Sequence, residues 1–296
     1  VFTLPAEIAS IAFQNKKAVY AILFRTAAET LRLIAADPKH LGAEIGLIAV
    51  LHSWGQTLTY HPHLHCIVPG GGPSPDGTRW IACRPNFFLP VRVLSRLFRR
   101  LFLQSLRTAF EAGQLQFFGD IADRADPQAF ARLLTSASRQ DWVVYAKPPF
   151  GGPEQVLAYL SRYTHRVAIA NSRLVSMADD KVTFRWRDYR HGRRPRQMTL
   201  EAGEFIRRFL LHTVPDGFHR IRHYGFLANG QRAARLAACR MMLAAQVPEA
   251  GGRAEPMAKI APAPRPCPCC GRPMITIAVW YHGQAPPRGP FWNDSS

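Results

Sequence analysis

Residues 46–68 read GLIAVLHSWGQTLTYHPHLHCIV, and this stretch decides the fold class. Its first half, 46–54, is apolar and β-branched, as a strand requires. Gly55 and its polar neighbours make a turn, and 60–68 returns as a second strand, so the two form an antiparallel hairpin. Side chains alternate along a strand, so His63 and His65 project from one face while Leu64 and Cys66 take the other. Two imidazoles side by side are half of a divalent-metal site. A catalytic ion needs at least one more ligand and open positions for substrate. Gln56, just past the turn and seven residues before His63, is the first choice for the third ligand. His61, on the same face two residues upstream, is the alternative, although Pro62 bends the strand there.

Working outward, 1–4 is a short strand closed by Pro5 at the first turn of a helix. A helix follows over 16–36, with Val19, Leu23, Leu31 and Ile34 among its apolar positions. Residues 80–82 form another short strand. A long basic helix over 91–112 has Leu94, Leu97, Phe98, Leu101 and Phe102 on its apolar side; it carries Arg92, Arg96, Arg99, Arg100 and Arg107 and has no acid before Glu111. Pro127 opens a shorter helix, and 141–146 (DWVVYA) reads as a strand. Strands near 173–177 and 182–188 are joined by a turn at Ala178-Asp179-Asp180, and Thr199 caps a helix running to Leu211. Strands arriving in hairpins point to an α+β class with a mainly antiparallel sheet flanked by helices. The expected organisation is one domain over 1–242, a Pro/Ala/Gly-rich linker over 243–266 and a short Cys-containing tail over 267–296.

A second chemical signal lies at Tyr159-Leu160-Ser161-Arg162-Tyr163-Thr164-His165-Arg166, which reads as part of a helix opened by Pro153-Glu154. Tyrosines four apart share one helical face. A phenol is a weak nucleophile at its ordinary pKa and needs a polarised target. A metal ion on a phosphate would provide one. The chain carries 38 Lys and Arg, only six of them Lys, against 20 acids, for a formal charge of +18. An excess of that size favours a polyanion, nucleic acid before membrane. The densest basic patch includes Arg185, Arg187, Arg193, Arg194 and Arg196, interleaved with Trp186 and Tyr189, a composition that suits a single strand. Arg162 and Arg166 flank the tyrosines.

No apolar run is long enough to span a membrane and no signal peptide opens the chain, so the expected location is the bacterial cytoplasm, at the nucleoid. Cys267 and Cys270, with Cys269 between them and His282 downstream, form half of a structural zinc site. The absence of an initiator Met points to a fragment.

The His63-Leu64-His65 motif with Gly70-Gly71-Gly72 after it, together with Leu51-His52-Ser53-Trp54-Gly55-Gln56 and the two-tyrosine segment, resembles the HUH endonucleases. Among these it resembles the two-tyrosine rolling-circle transposases of the insertion sequence 91 family. The resemblance covers residue 1 to about 242. It implies a five-stranded antiparallel sheet with the histidines on a central strand, Mg²⁺ or Mn²⁺ at His63 and His65, and Tyr159 and Tyr163 as nucleophiles. Single-stranded DNA at element ends and target would be the substrate, cut through a 5′-phosphotyrosine intermediate in rolling-circle-like transposition. Such transposases usually carry an amino-terminal zinc-binding domain ahead of the catalytic one, and none is expected within this sequence. A plasmid replication initiator or relaxase, a metal-dependent hydrolase and an inactive DNA-binding remnant are the competing readings.

Overall fold

A computed structural model describes residues 1–147, 156, 168–188, 192 and 194–245. The hairpin is present as β2 (Leu47–Trp54) and β3 (Tyr60–Ile67), antiparallel with Ile48 opposite Ile67, Val50 opposite His65 and His52 opposite His63. The short strand β1 (Phe2–Thr3) pairs with the far edge of β3. A strand from late in the described chain, β9 (Ile221–Tyr224), pairs with the far edge of β2. The sheet order is therefore β1-β3-β2-β9, with the histidine strand in its interior.

Among the described residues this sheet has four strands, where five were expected. Residues 141–146 contribute one bridge, Phe2 to Val144, flanked by amide bonds from Thr3 to Val143 (3.1 Å) and from Tyr145 to Val1 (3.0 Å). The reason is the length of β1. The following Leu4 donates its amide to Pro62, and Pro5 has no amide to give, so a ladder along β1 has nowhere to extend.

Pleating sorts the sheet into two faces. Leu47, Ala49 and Leu51 of β2 and Leu64 of β3 enter the main core, each 2% exposed or less. Four helices cover that face: α1 (Ala6–Gln14), α2 (Lys16–Ala36), α3 (Val91–Glu111) and α4 (Pro127–Arg139). On α3, Leu94, Phe98, Phe102, Leu106 and Ala109 recur every three or four residues and are buried. The start of α4 is set by Asp126, whose carboxylate accepts from the amide of Ala129 at 2.8 Å, and by Pro127 at the first helical position. Val50, His52, His63 and His65 occupy the opposite face.

The β2–β3 ladder slips near its open end: His52 pairs with His63, yet Trp54 pairs with Tyr60, so His61 and Pro62 together face one residue. A proline cannot donate to a ladder, and a bulge is where a strand tolerates one.

Two smaller sheets complete the described fold. The strands β4 (Gly71–Pro73) and β5 (Trp80–Ala82) pair with each other. The strands β6 (Leu174–Ala178), β7 (Lys181–Asp188) and β8 (Arg194–Glu201) form a three-stranded sheet, its first turn made by Asp179 and Asp180 at φ +51° and +55°. Positive φ at both turn residues matches the twist of a tight hairpin. The helix α5 (Ala202–Leu210) packs Phe205 and Phe209 into a second core around Leu58, Ala168 and Phe184, which Trp54 also joins. Thr199 does not cap this helix. Its hydroxyl pairs across the sheet with Thr183 at 2.8 Å, and the helix begins after Glu201. The last described helix, α6, spans Arg232–Ala245. All described residues lie within a compact unit, Val1–Val247. Among them no helix is long and apolar enough to cross a membrane.

Candidate metal centre

Three imidazoles converge on the face of the sheet away from the helices. His63 and His65 share that face by alternation, and His52 reaches it from the neighbouring strand because the register sets it opposite His63. One nitrogen from each ring lies within 4.8 Å of the other two. Ring centroids are 5.4 Å apart for His52 and His63, 4.4 Å for His52 and His65, and 5.0 Å for His63 and His65. His52 is the deepest of the three, 3% exposed, and Trp54 stacks on it with centroids 4.6 Å apart and planes within 16°.

Burial keeps protons off two of these rings. Burial pulls the His63 pKa down to about 3; the bond to the His61 carbonyl resists, and the neighbouring imidazoles add to the lowering. Burial and the same neighbours bring His65 down to about 2. Both rings are therefore neutral at pH 7, the form that coordinates an ion. The Nδ1 of His63 lies 2.7 Å from the carbonyl of His61. A carbonyl only accepts, so Nδ1 carries the hydrogen and Nε2 keeps its lone pair for a ligand bond. Cys66 faces the core, and burial pushes its thiol up to about 11, which keeps it protonated.

Gln56 is differently engaged. Its backbone carbonyl accepts from the Arg173 guanidinium, and its side-chain oxygen accepts from the amide of Arg187 at 3.3 Å. It ties the hairpin turn to β7. His61 is exposed, its ring 5.4 Å from that of His63. Counting back from the turn, which pairs Trp54 with Tyr60, would set His52 opposite Pro62; the bulge at His61 and Pro62 is what brings His52 opposite His63.

Behind the hairpin, Tyr20 and Tyr60 share a hydroxyl–hydroxyl bond of 2.7 Å, while His212 bridges the Ser53 hydroxyl (3.3 Å) and the Leu58 carbonyl (3.1 Å). Burial raises Tyr20 to about 12 and raises Tyr60 as well, so both remain neutral phenols held in the structure.

The family described as "Putative transposase" (Y2_Tnp) matches residues 46–235, more than half of the chain. A relative from Sinorhizobium fredii (strain NBRC 101917 / NGR234), "Putative transposase y4qJ", is 59% identical over 296 residues, covering 97% of this chain and 74% of its own length. The "Transposase for insertion sequence element IS801" of Pseudomonas savastanoi pv. phaseolicola is 29% identical over 230 residues, covering 77% of this chain and 53% of its own length. The chain belongs to the Y2_Tnp transposase family. No solved structure matches it.

The span matched by the Y2_Tnp family opens one residue before β2 and so contains all three histidines and the three-stranded sheet. Tyr159, Tyr163, Arg162, Arg166 and Arg193 lie outside the described residues, as do Cys267 and Cys270. The residues bordering the tyrosine segment are described. Lys147 is near enough for its charge to help depress the His65 pKa, and Ala168 is buried in the core that Trp54 joins. The remaining arginines divide by pleat. Arg185 and Arg187 are exposed on the outer face of the three-stranded sheet. Arg194 and Arg196 lie across from Asp188 and Trp186 on the other face. Arg196 pairs with the buried carboxylate of Asp188 at 3.3 Å.

Proposed function

We propose that this chain is an insertion-sequence transposase of the HUH type, cutting and rejoining single-stranded DNA through tyrosine esters. The observation that carries this reading is the convergence of His52, His63 and His65 in a chain of the transposase family that also holds two tyrosines four residues apart. His52, rather than Gln56, is the third ligand in this reading. Three imidazole nitrogen donors suit Mn²⁺ or another transition ion better than Mg²⁺, which prefers oxygen. A bound ion would withdraw charge from the scissile phosphate and steady the departing 3′-oxygen.

The phenol oxygen of Tyr159 or Tyr163 attacks phosphorus and loses its proton. The bond to the 3′-oxygen breaks, that oxygen takes a proton, and a 5′-phosphotyrosine remains. Attack by another 3′-hydroxyl reverses the step and joins strands without an external energy source. The second tyrosine accepts a second strand end. Chain geometry supports the pairing of tyrosines with the histidines. Tyr163 is five residues from Ala168, a reach of roughly 18 Å at full extension, and Ala168 shares a core with the Trp54 that stacks on His52. Arg185 and Arg187 on the outer sheet face, with Arg162, Arg166, Arg193 and Arg194, would hold the phosphates. Arg196 serves the fold first, through Asp188. A replication initiator or relaxase would use the same chemistry; the family match favours transposition.

The test is a covalent-adduct assay with Mn²⁺ and labelled single-stranded DNA carrying the element ends. A protein–DNA band that survives denaturation, persists in Tyr159→Phe or Tyr163→Phe alone and vanishes in the double variant is expected. An adduct surviving in the double variant would defeat the proposal.

A further inference from the structure

The helix layer carries a basic surface that the metal centre does not use. On α3, Arg92, Arg96, Arg100 and Arg107 are all exposed, and their four- and seven-residue spacing aligns them on one side of the helix. The stripe runs about 22 Å along the axis, at 1.5 Å per residue. Among the described residues none of the four lies within ion-pair distance of an acid; the arginine of α3 that does is Arg99, with Asp141 at 3.9 Å.

The neighbouring helix extends this surface. It runs antiparallel to α3: Phe110 stacks on Phe130 with centroids 4.0 Å apart, while nearer the start of α3 Ser95 donates to the Trp142 carbonyl at 2.7 Å, just past the end of α4. Its outward side holds Arg132 and Arg139, also without an acidic partner, beside Thr135 and Ser136 in a shallow open groove. Neither helix contains an acid except Glu111 at the end of α3. Long side chains left unpaired in this way repel one another, and a solvated face gains nothing from the alignment.

We propose that this α3–α4 face binds the phosphate backbone of double-stranded DNA, separately from the strand engaged at the histidines. The two sites are on opposite sides of the sheet, because α3 packs on the face of Leu51 and Leu64 whereas the histidines project from the other. The naming of the polyanion as DNA rests on the transposase reading. The duplex form follows from the surface itself. The aromatic side chains of α3 and α4 are engaged inward: Phe98, Phe102 and Phe130 are buried and the half-buried Phe110 stacks on Phe130, so the face offers phosphate contacts and no exposed stacking platform for unpaired bases.

The test uses the full chain with Arg92, Arg96, Arg100 and Arg107 all changed to Gln, which keeps helix propensity. Binding is measured to a random-sequence 30-base-pair duplex, to a single-stranded oligonucleotide, and to phosphatidylserine vesicles, over a range of salt. The variant should bind the duplex at least tenfold more weakly. Its plot of log affinity against log salt should be shallower by about 3.6, near 0.9 for each of the four phosphates that the variant no longer neutralises. Adduct formation on short single strands should match the parent. An unchanged duplex slope, or a loss seen only on vesicles, overturns the proposal. A parent that forms no adduct, with the duplex loss still seen in the variant, would instead overturn the tyrosine chemistry and leave this surface standing.

Discussion

At the scale of single residues, the candidate centre rests on three converging imidazoles, and burial keeps His63 and His65 uncharged. His63 and His65 could be read from alternation alone; His52 could not be recognised as their partner without the register of the hairpin, because a ligand from a neighbouring strand leaves no local spacing. Gln56 was attractive for its place near the turn, and its amide is instead spent on the backbone of β7. The lowered pKa values of His63 and His65 also bear on stability. Unfolded, each ring returns to its ordinary value near 6.5, so below that pH the unfolded chain binds more protons than the folded one. Stability of the metal-free protein should therefore fall as pH drops from about 6.5 towards 3. Thermal melts of the metal-free chain between pH 7.5 and 4.5 check this, and His65→Asn should show a weaker dependence. A parent melting temperature that is level across the range would argue against buried neutral rings.

Elements with strong periodicity were legible: α2 spans the 16–36 that its apolar pattern marks, and α3 ends one residue short of expectation. β8 was missed because residues 194–201 are polar, arginine-rich and contain Pro195; they become a strand only by pairing along the whole of β7. β9 was missed because four residues, Ile221–Tyr224, carry too little pattern. Its placement depends on Gly225, at φ +61°, where a side chain would overlap the carbonyl oxygen of Ile45 at the entrance to β2. Gly225→Ala should cost about 2 kcal/mol or more, combining left-handed strain with that overlap. Urea unfolding measures it, and a cost under about 0.5 kcal/mol would mean that this crossing is not tight.

For the whole molecule, composition identified the class of partner and hairpin order identified the α+β class, whereas the number of strands depended on how far a two-residue strand could extend a ladder. Among the described residues, exposed arginines stand on α3 and α4 as well as on β7, so DNA retention and DNA cutting should be separable. The His63→Ala/His65→Ala variant should lose adduct formation by at least a hundredfold while keeping most of its salt-sensitive DNA binding in gel-shift titrations. Joint loss of both would indicate that the metal centre itself holds the DNA.

The most direct measurement is Mn²⁺ binding, by calorimetry and electron paramagnetic resonance, to the parent chain, His52→Ala and Gln56→Ala. One ion per chain in the parent, affinity reduced at least tenfold in His52→Ala and nearly unchanged in Gln56→Ala, is the predicted result. Parent-like affinity in His52→Ala with loss in Gln56→Ala would contradict the three-histidine centre and return the third ligand to the turn.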